Sequence, residues 1–139
     1  MDIPLHVVFV EAWVKHGDKI LLAKRSSKDD QAAGFWALPG GKVESGVQSG
    51  IIEDALKREV AEEVGLEISN PRYFFSRAFV RSSGHHVVAL SFLVDYSSGE
   101  ARALDDQEEV RWVTVEEAES LLDGHWKETL AAFKELLKH

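Results

Sequence analysis

Two periods of apolar and polar residues alternate along this chain, and the points where one gives way to the other mark its elements. From Leu5 to Val14 the run is rich in Val, Phe and Trp. His16-Gly17-Asp18 marks a turn and Lys19 to Lys24 reads as a second strand, so the pair predicts a β-hairpin. Ser26 to Gly34 is polar with small residues and reads as a surface loop. Phe35-Trp36-Ala37-Leu38 follows as a short extended piece stopped by Pro39, with Gly40-Gly41 as a tight turn. Between Ser49 and Val64 the period lengthens to that of a helix: Leu56, Val60 and Val64 form one i, i+4 row, and Gly65 is placed to cap the C-terminal end. Two further strands, Arg72 to Arg81 and Val87 to Tyr96, are joined by Ser82-Ser83-Gly84, and a strand near Val110 to Val113 follows the acidic loop Asp105-Asp106-Gln107-Glu108-Glu109. Thr114 and Glu117 make a capping box for a helix through about Leu122, and Trp126 to Leu137 closes the chain as an amphipathic helix. Strand blocks flanking a central helix, with helices at the end, predict a mixed α/β (α+β) domain, an α/β/α sandwich with a central mixed sheet.

Composition narrows the class of partner. At 139 residues the chain fits one domain over 1–139, and an apolar fraction of 45% with four Trp and seven Phe is ample for a packed core. A formal charge of −8 argues against a nucleic-acid backbone or an anionic membrane as the main partner. If the substrate is itself anionic, metal ions must mediate the contact. The chain has no cysteine, so neither a disulfide framework nor thiolate chemistry is available, which suits a reducing cytoplasm. Met1-Asp2-Ile3-Pro4-Leu5-His6 lacks the basic start of a signal peptide, and no apolar run is long enough to span a bilayer.

The chemistry gathers in Arg58-Glu59-Val60-Ala61-Glu62-Glu63-Val64-Gly65-Leu66. On a helix Glu59, Glu62 and Glu63 stand at i, i+3 and i+4, so three carboxylates crowd one face. Like charges at this spacing destabilise a helix by about 0.2–0.5 kcal/mol per pair, and an oxygen-seeking ion such as Mg²⁺ turns that repulsion into coordination. Taken alone, such a cluster is more often a solvated surface. The Gly-Gly pair ahead of the helix is what favours a site.

With Pro39-Gly40-Gly41-Lys42-Val43-Glu44 upstream, the chain resembles the Nudix hydrolase family and its MutT-like members. The signature is Gly, five residues, Glu, seven residues, Arg-Glu, an apolar residue, any residue, Glu-Glu, any residue, Gly and an apolar residue. Arg58 through Leu66 match its second half without exception. The front half departs from it. Counted from Gly41 the first Glu falls on Val47, and counted back from Arg58 it falls on Gly50, which implies a three-residue insertion within Val47–Ile52. In the family that Glu is mainly a structural partner of the Arg; Glu44 or Glu53 is a candidate to replace it.

The resemblance implies a mixed sheet between helices and hydrolysis of a nucleoside diphosphate linked to another group, with Mg²⁺ or Mn²⁺ as cofactor. Glu59, Glu62 and Glu63 are then the metal ligands, with the Gly40 carbonyl as a further one. Arg58, pointing away from the acidic face on a helical wheel, orients the helix and its loop or makes only a surface ion pair. The general base is Glu59 or Glu62, or an acid of the loop before the late strand, where Asp106 and Glu109 are the choices. Arg25 is placed for a substrate phosphate, with Lys24 assisting and Gly41 beside the substrate. Trp36, Phe35, Phe79 and Trp126 are candidates to stack on a base, or else belong to the core. His85-His86 flanks a hairpin tip. The leading substrate is a nucleoside triphosphate. ADP-ribose, a nucleotide sugar or a dinucleotide comes next, and an inactive nucleotide-sensing module is the reading from another class. The chain is expected to act as a monomer or homodimer.

Overall fold

The computed structural model describes residues 3–26 and 34–139, so most of the loop expected between Ser26 and Gly34 lies outside the described residues. Among the described residues seven strands, β1 (Val7–His16), β2 (Lys19–Arg25), β3 (Trp36–Ala37), β4 (Gly40–Lys42), β5 (Glu67–Val80), β6 (His86–Ser98) and β7 (Gln107–Val113), form one mixed sheet. Helices α1 (Ile51–Val64), α2 (Val115–Leu121) and α3 (Lys127–Leu137) cover its faces, with a 3-10 turn at Gly124–Trp126 leading into α3. β1 lies inside the sheet and pairs parallel with β6 along nine positions, whereas its expected hairpin with β2 closes only at Lys15↔Ile20 and His16↔Lys19. Beyond that turn the two strands part: β1 takes up β4 and β6, and β2 takes up β3 and β7.

The alternation in β1 builds both layers. Val10, Ala12 and Val14, with Leu21 and Ala23 of β2, pack under Ala55, Leu56, Val60 and Val64 of α1. Trp13, Ile20 and Leu22 face the other way, onto Ala118 of α2, Trp126, and Leu130 and Phe133 of α3, and Trp13 stacks on Phe133 at 4.4 Å. α1 ends as its sequence predicts, at Gly65 with φ 73°, whose N–H returns to the Ala61 carbonyl. The capping box of α2 is formed in both directions between Thr114 and Glu117.

Three expectations are corrected. Gly40-Gly41 is not a turn: it forms β4, laid antiparallel on β1 with Gly40 opposite Glu11 and Gly41 opposite Val10. A Cβ at Gly40 would overlap the Val10 carbonyl, so glycine is required there by close backbone approach. β5 starts at Glu67, five residues before the predicted Arg72, and runs through Pro71. It can do so because it is an edge strand whose pairing with β6 is bulged between Ser69 and Arg72, where Asn70 has φ 54° and proline has no ladder bond to break. β7 starts at Gln107, within the stretch predicted as loop. Among the described residues no helix is long and apolar enough to cross a membrane.

Candidate active site

α1 presents its three glutamates at three depths. Glu63 is buried at the inner end, 6% exposed. Its Oε1 accepts the Gly40 N–H at 2.9 Å, its Oε2 accepts from Gln107 Nε2 at 3.3 Å, and Arg25 Nη1 stands 3.6 Å from Oε2. Burial pushes the Glu63 carboxyl up to about 7; the Gly40 N–H and Arg25 pull against this rise, and the charges of Glu59 and Asp105 add to it. Glu59 is half-buried beneath Gly41, where a Cβ would overlap its carboxylate. Burial raises the Glu59 carboxyl too, opposed by the hydrogen bond from Arg58 and reinforced by the charges of Glu62 and Asp105. Glu62 is exposed, with Arg58 Nε 3.9 Å away. The two glycines thus serve different neighbours: Gly40 lets β4 touch β1, and Gly41 leaves room for an acid.

Arg58 does not turn from the acidic face. Its Nη2 donates to Glu59 Oε1 at 3.3 Å and to the Lys42 carbonyl at 3.4 Å, tying α1 to the end of β4. Its side chain is long enough to curl back along the helix surface, which a wheel drawn from Cα directions does not show. Neither Glu44 nor Glu53 pairs with it among the described residues; both are exposed, and α1 begins after Gly50 at φ 73° without a side-chain cap.

The loop before β7 is bound to the end of α1, since Leu104 N–H donates to the Glu63 carbonyl and Arg102 N–H to the Val64 carbonyl, each at 3.0 Å. Asp105, at φ 53°, is the loop acid whose charge reaches Glu59 and Glu63. Asp106 is exposed, and its carbonyl accepts from Ser26 N–H at 2.8 Å. Glu109 is held by Arg111 at 2.8 Å. Lys24 stands 4.0 Å from Glu108.

A cleft of about 490 Å³ opens beside Glu63. Of the residues singled out in the sequence it brings together Gly40, Gly41, Arg25, Trp36 and Glu63, with Phe35, Phe79 and Trp126 in its walls. The aromatic faces are partly taken by cations: Arg77 lies 4.1 Å over Trp126 and 4.9 Å from the Phe79 ring, and Arg111 lies 4.9 Å from Trp36. Phe35 is 55% exposed. His85 and His86 lie at the β5–β6 connection and outside the cleft lining, His85 meeting Ser83 and His86 the ring of His6.

Three residues escaped the sequence reading. Gln107 sat unremarked within an acidic loop. Glu11 is buried at 4% exposure and accepts from Arg77 Nε at 3.2 Å, Arg77 Nη2 at 2.9 Å and Ser91 Oγ at 2.6 Å. The signal for this pair was present, an acid inside Val7–Val14 and a base inside an aromatic strand, because charges in such runs need each other to be buried.

The donor types fit a hard divalent cation, being carboxylate oxygens, and Glu63 has one short hydrogen bond, from Gly40, with Arg25 3.6 Å away. Among the described residues, however, no three acid or histidine side chains stand gathered as a finished cation cage.

A mixed sheet between helices, with an Arg and three Glu of one helix closed against a Gly-Gly strand, defines a class of phosphate-bond hydrolases. A family model described as the NUDIX domain matches residues 5–136. The chain is 34% identical over 122 residues to the ADP-ribose pyrophosphatase of Methanocaldococcus jannaschii, covering 86% of this chain and 69% of that protein. It is 30% identical over 116 residues to the Nudix hydrolase YvcI of Bacillus subtilis, covering 78% and 68%. The crystal structure of a MutT NUDIX hydrolase from Burkholderia pseudomallei superposes with a TM-score of 0.79 at 28% identity, over 92% of this chain and 98% of that one. The chain belongs to the Nudix family. It is a nucleotide pyrophosphohydrolase by class.

Proposed function

We propose that the chain hydrolyses a nucleoside triphosphate to the monophosphate and pyrophosphate, with Mg²⁺, or Mn²⁺ in its place, held by Glu59, Glu62, Glu63 and the Gly40 carbonyl. The observation that carries this is Glu63, buried and clasped to the Gly40 N–H at the inner end of a cleft that Arg25 shares. When bound, the cation neutralises charge on the pyrophosphate and lowers the pKa of the attacking water. Arg25 donates to a substrate phosphate, for which an always-charged planar fork is suited. Gly41, having no side chain, leaves the Glu59 carboxylate room against β4 and lines the cleft the phosphates would enter. Arg58 holds the Glu59 carboxylate in place and fixes α1 to β4.

We assign the base to Glu59, which is half-buried beneath Gly41 and fixed by Arg58 where it would share the cation with the attacking water. Asp106 and Glu109 rank behind it: Glu109 is committed to Arg111, and Asp105 is the loop acid whose charge Glu59 feels. Trp36 and Phe35 form the outer wall against which a base lies.

A second reading is cleavage of ADP-ribose, favoured by the 34% identity to a protein named for that substrate. One assay decides. The protein is incubated with Mg²⁺ and a panel of nucleoside triphosphates, ADP-ribose and dinucleoside polyphosphates. Phosphate release is read with and without added pyrophosphatase for the triphosphates, and with and without added phosphatase for ADP-ribose and the dinucleotides, whose cleavage products carry phosphate as monoesters. Phosphate that appears only with pyrophosphatase supports triphosphate cleavage, turnover of ADP-ribose alone supports the second reading, and no turnover of any substrate overturns both.

A further inference from the structure

One charged group of the cleft is far in role from the glutamates of α1. Arg77 of β5 is held on three sides. The buried Glu11 carboxylate takes its Nε and Nη2 hydrogens, Trp126 lies against its face at 4.1 Å, and Phe79 lies 4.9 Å away. Glu11 is held in turn by Ser91 Oγ at 2.6 Å. A guanidinium carries five N–H donors in a fixed plane. Glu11 uses the Nε–Nη2 edge, and among the described residues Nη1 makes no hydrogen bond. The end of the fork, one N–H from each terminal nitrogen, is not used by Glu11, and Arg77 is among the residues that line the cleft.

Resting on the nucleotide-hydrolase reading above, we propose that Arg77 is the base-reading residue of the cleft and selects a base that offers two adjacent acceptors, guanine or cytosine, over adenine and uracil. Two parallel donors fit guanine O6 and N7, the pair that arginine reads in DNA, and they fit cytosine O2 and N3 equally well. Adenine sets its N6 donor beside N7 and beside N1, and uracil sets N3–H between its carbonyls, so each meets the fork with one donor facing another. Both favoured bases carry a donor beside the acceptor pair; Asp123, which also lines the cleft, holds the His125 N–H and ring with Oδ1, and its Oδ2 is the acceptor left for such a donor. Charge supports a base over a phosphate as the partner. Glu11 neutralises Arg77, and a phosphate drawn to Arg77 would also face that buried carboxylate. Glu11 is a positioning residue: it acts by fixing the guanidinium.

The test is equilibrium titration of GMP, CMP, AMP and UMP onto the full chain, read by tryptophan fluorescence since Trp36 and Trp126 line the cleft. GMP or CMP is expected to bind about tenfold to a hundredfold more tightly than AMP and UMP, the range a bidentate arginine–base pair supplies. Arg77→Lys keeps a charge opposite Glu11 but has no pair of parallel donors; it should erase that ratio by weakening GMP or CMP binding toward that of AMP and UMP. In turnover the same variant should raise KM for the favoured nucleotide with little change in kcat. Should Arg77→Lys fail to fold, the double variant Glu11→Gln with Arg77→Gln, which leaves no buried charge, carries the same comparison. Equal binding of all four nucleotides by the unmodified protein, or a ratio that survives both variants, overturns the proposal. Mg²⁺-dependent turnover without base preference removes it while the hydrolase reading stands; selective binding without turnover does the reverse.

Discussion

Two buried glutamates, one on each side of the sheet, meet an arginine in opposite ways. Glu11 is fully answered, with Arg77 at 2.9 and 3.2 Å and Ser91 at 2.6 Å. Glu63 has Arg25 no closer than 3.6 Å, a long bond from Gln107 and one good bond from Gly40, and it feels the charges of Glu59 and Asp105 as well. Burial desolvates both side chains, yet only one has partners matched to its charge. The Glu11–Arg77 pair is a finished element that places a guanidinium in the cleft. Glu63 is left with negative charge that an arriving cation would satisfy, which is the arrangement a metal-dependent hydrolase needs.

The comparison breaks most sharply at Glu11. Glu11→Ala leaves the part-buried Arg77 guanidinium without its counter-charge and should cost about 1.5–3 kcal/mol of stability, measured by urea unfolding. Glu63→Gln at pH 8, without added metal, should leave stability unchanged or raise it, because it removes a charge that burial opposes. A loss there as large as at Glu11 would erase the distinction between the two sites.

Glu62→Gln comes next. Its side chain is exposed, so folding should be little affected, while turnover falls at least about a hundredfold, as expected for removal of a metal-holding charge at the reaction centre. Near-normal turnover would sink the assignment of α1 as the metal helix.

Stability itself should depend on pH through Glu63. Its folded value of about 7 lies above the 4.5 of an ordinary glutamate, so the folded chain holds this proton more tightly than the unfolded one. The contribution is full below about pH 4.5 and is lost as pH rises through 7, amounting to on the order of 3 kcal/mol. Thermal unfolding of the metal-free protein should show a falling midpoint from pH 5 to 8, and Glu63→Gln should flatten the curve. The smallest effect is expected far from either site: Thr114→Ala removes the N-cap of α2 and should cost about 1 kcal/mol without changing turnover.

Much of this molecule was legible in its sequence where one local rule governs. The i, i+4 row of α1, its Gly65 cap and the Thr114–Glu117 box are short-range matters, and the structure has each of them. Glu59, Glu62 and Glu63 of the Nudix signature lie on α1, as the helical period over this stretch predicts. Gly40-Gly41 was misread because the same two glycines satisfy a tight turn or a strand pressed against β1, and only the tertiary contact with Val10 and Glu59 separates the two. Pro71 hid the start of β5 because a proline is tolerated only at an edge or a bulge, and strand order is not written locally. Arg77 and Glu11 are 66 residues apart, so their pairing follows from β1 and β5 both flanking β6 and from no spacing visible along the chain.

The most direct measurement is calorimetric titration of Mn²⁺ or Mg²⁺ onto the unmodified chain and Glu63→Gln at pH 6 and pH 8. A cation held by Glu63 must displace its proton, so affinity should rise about tenfold between those pH values in the unmodified chain and should be weak and independent of pH in the variant. No binding by the unmodified chain, or equal binding by both proteins at both pH values, would contradict the account.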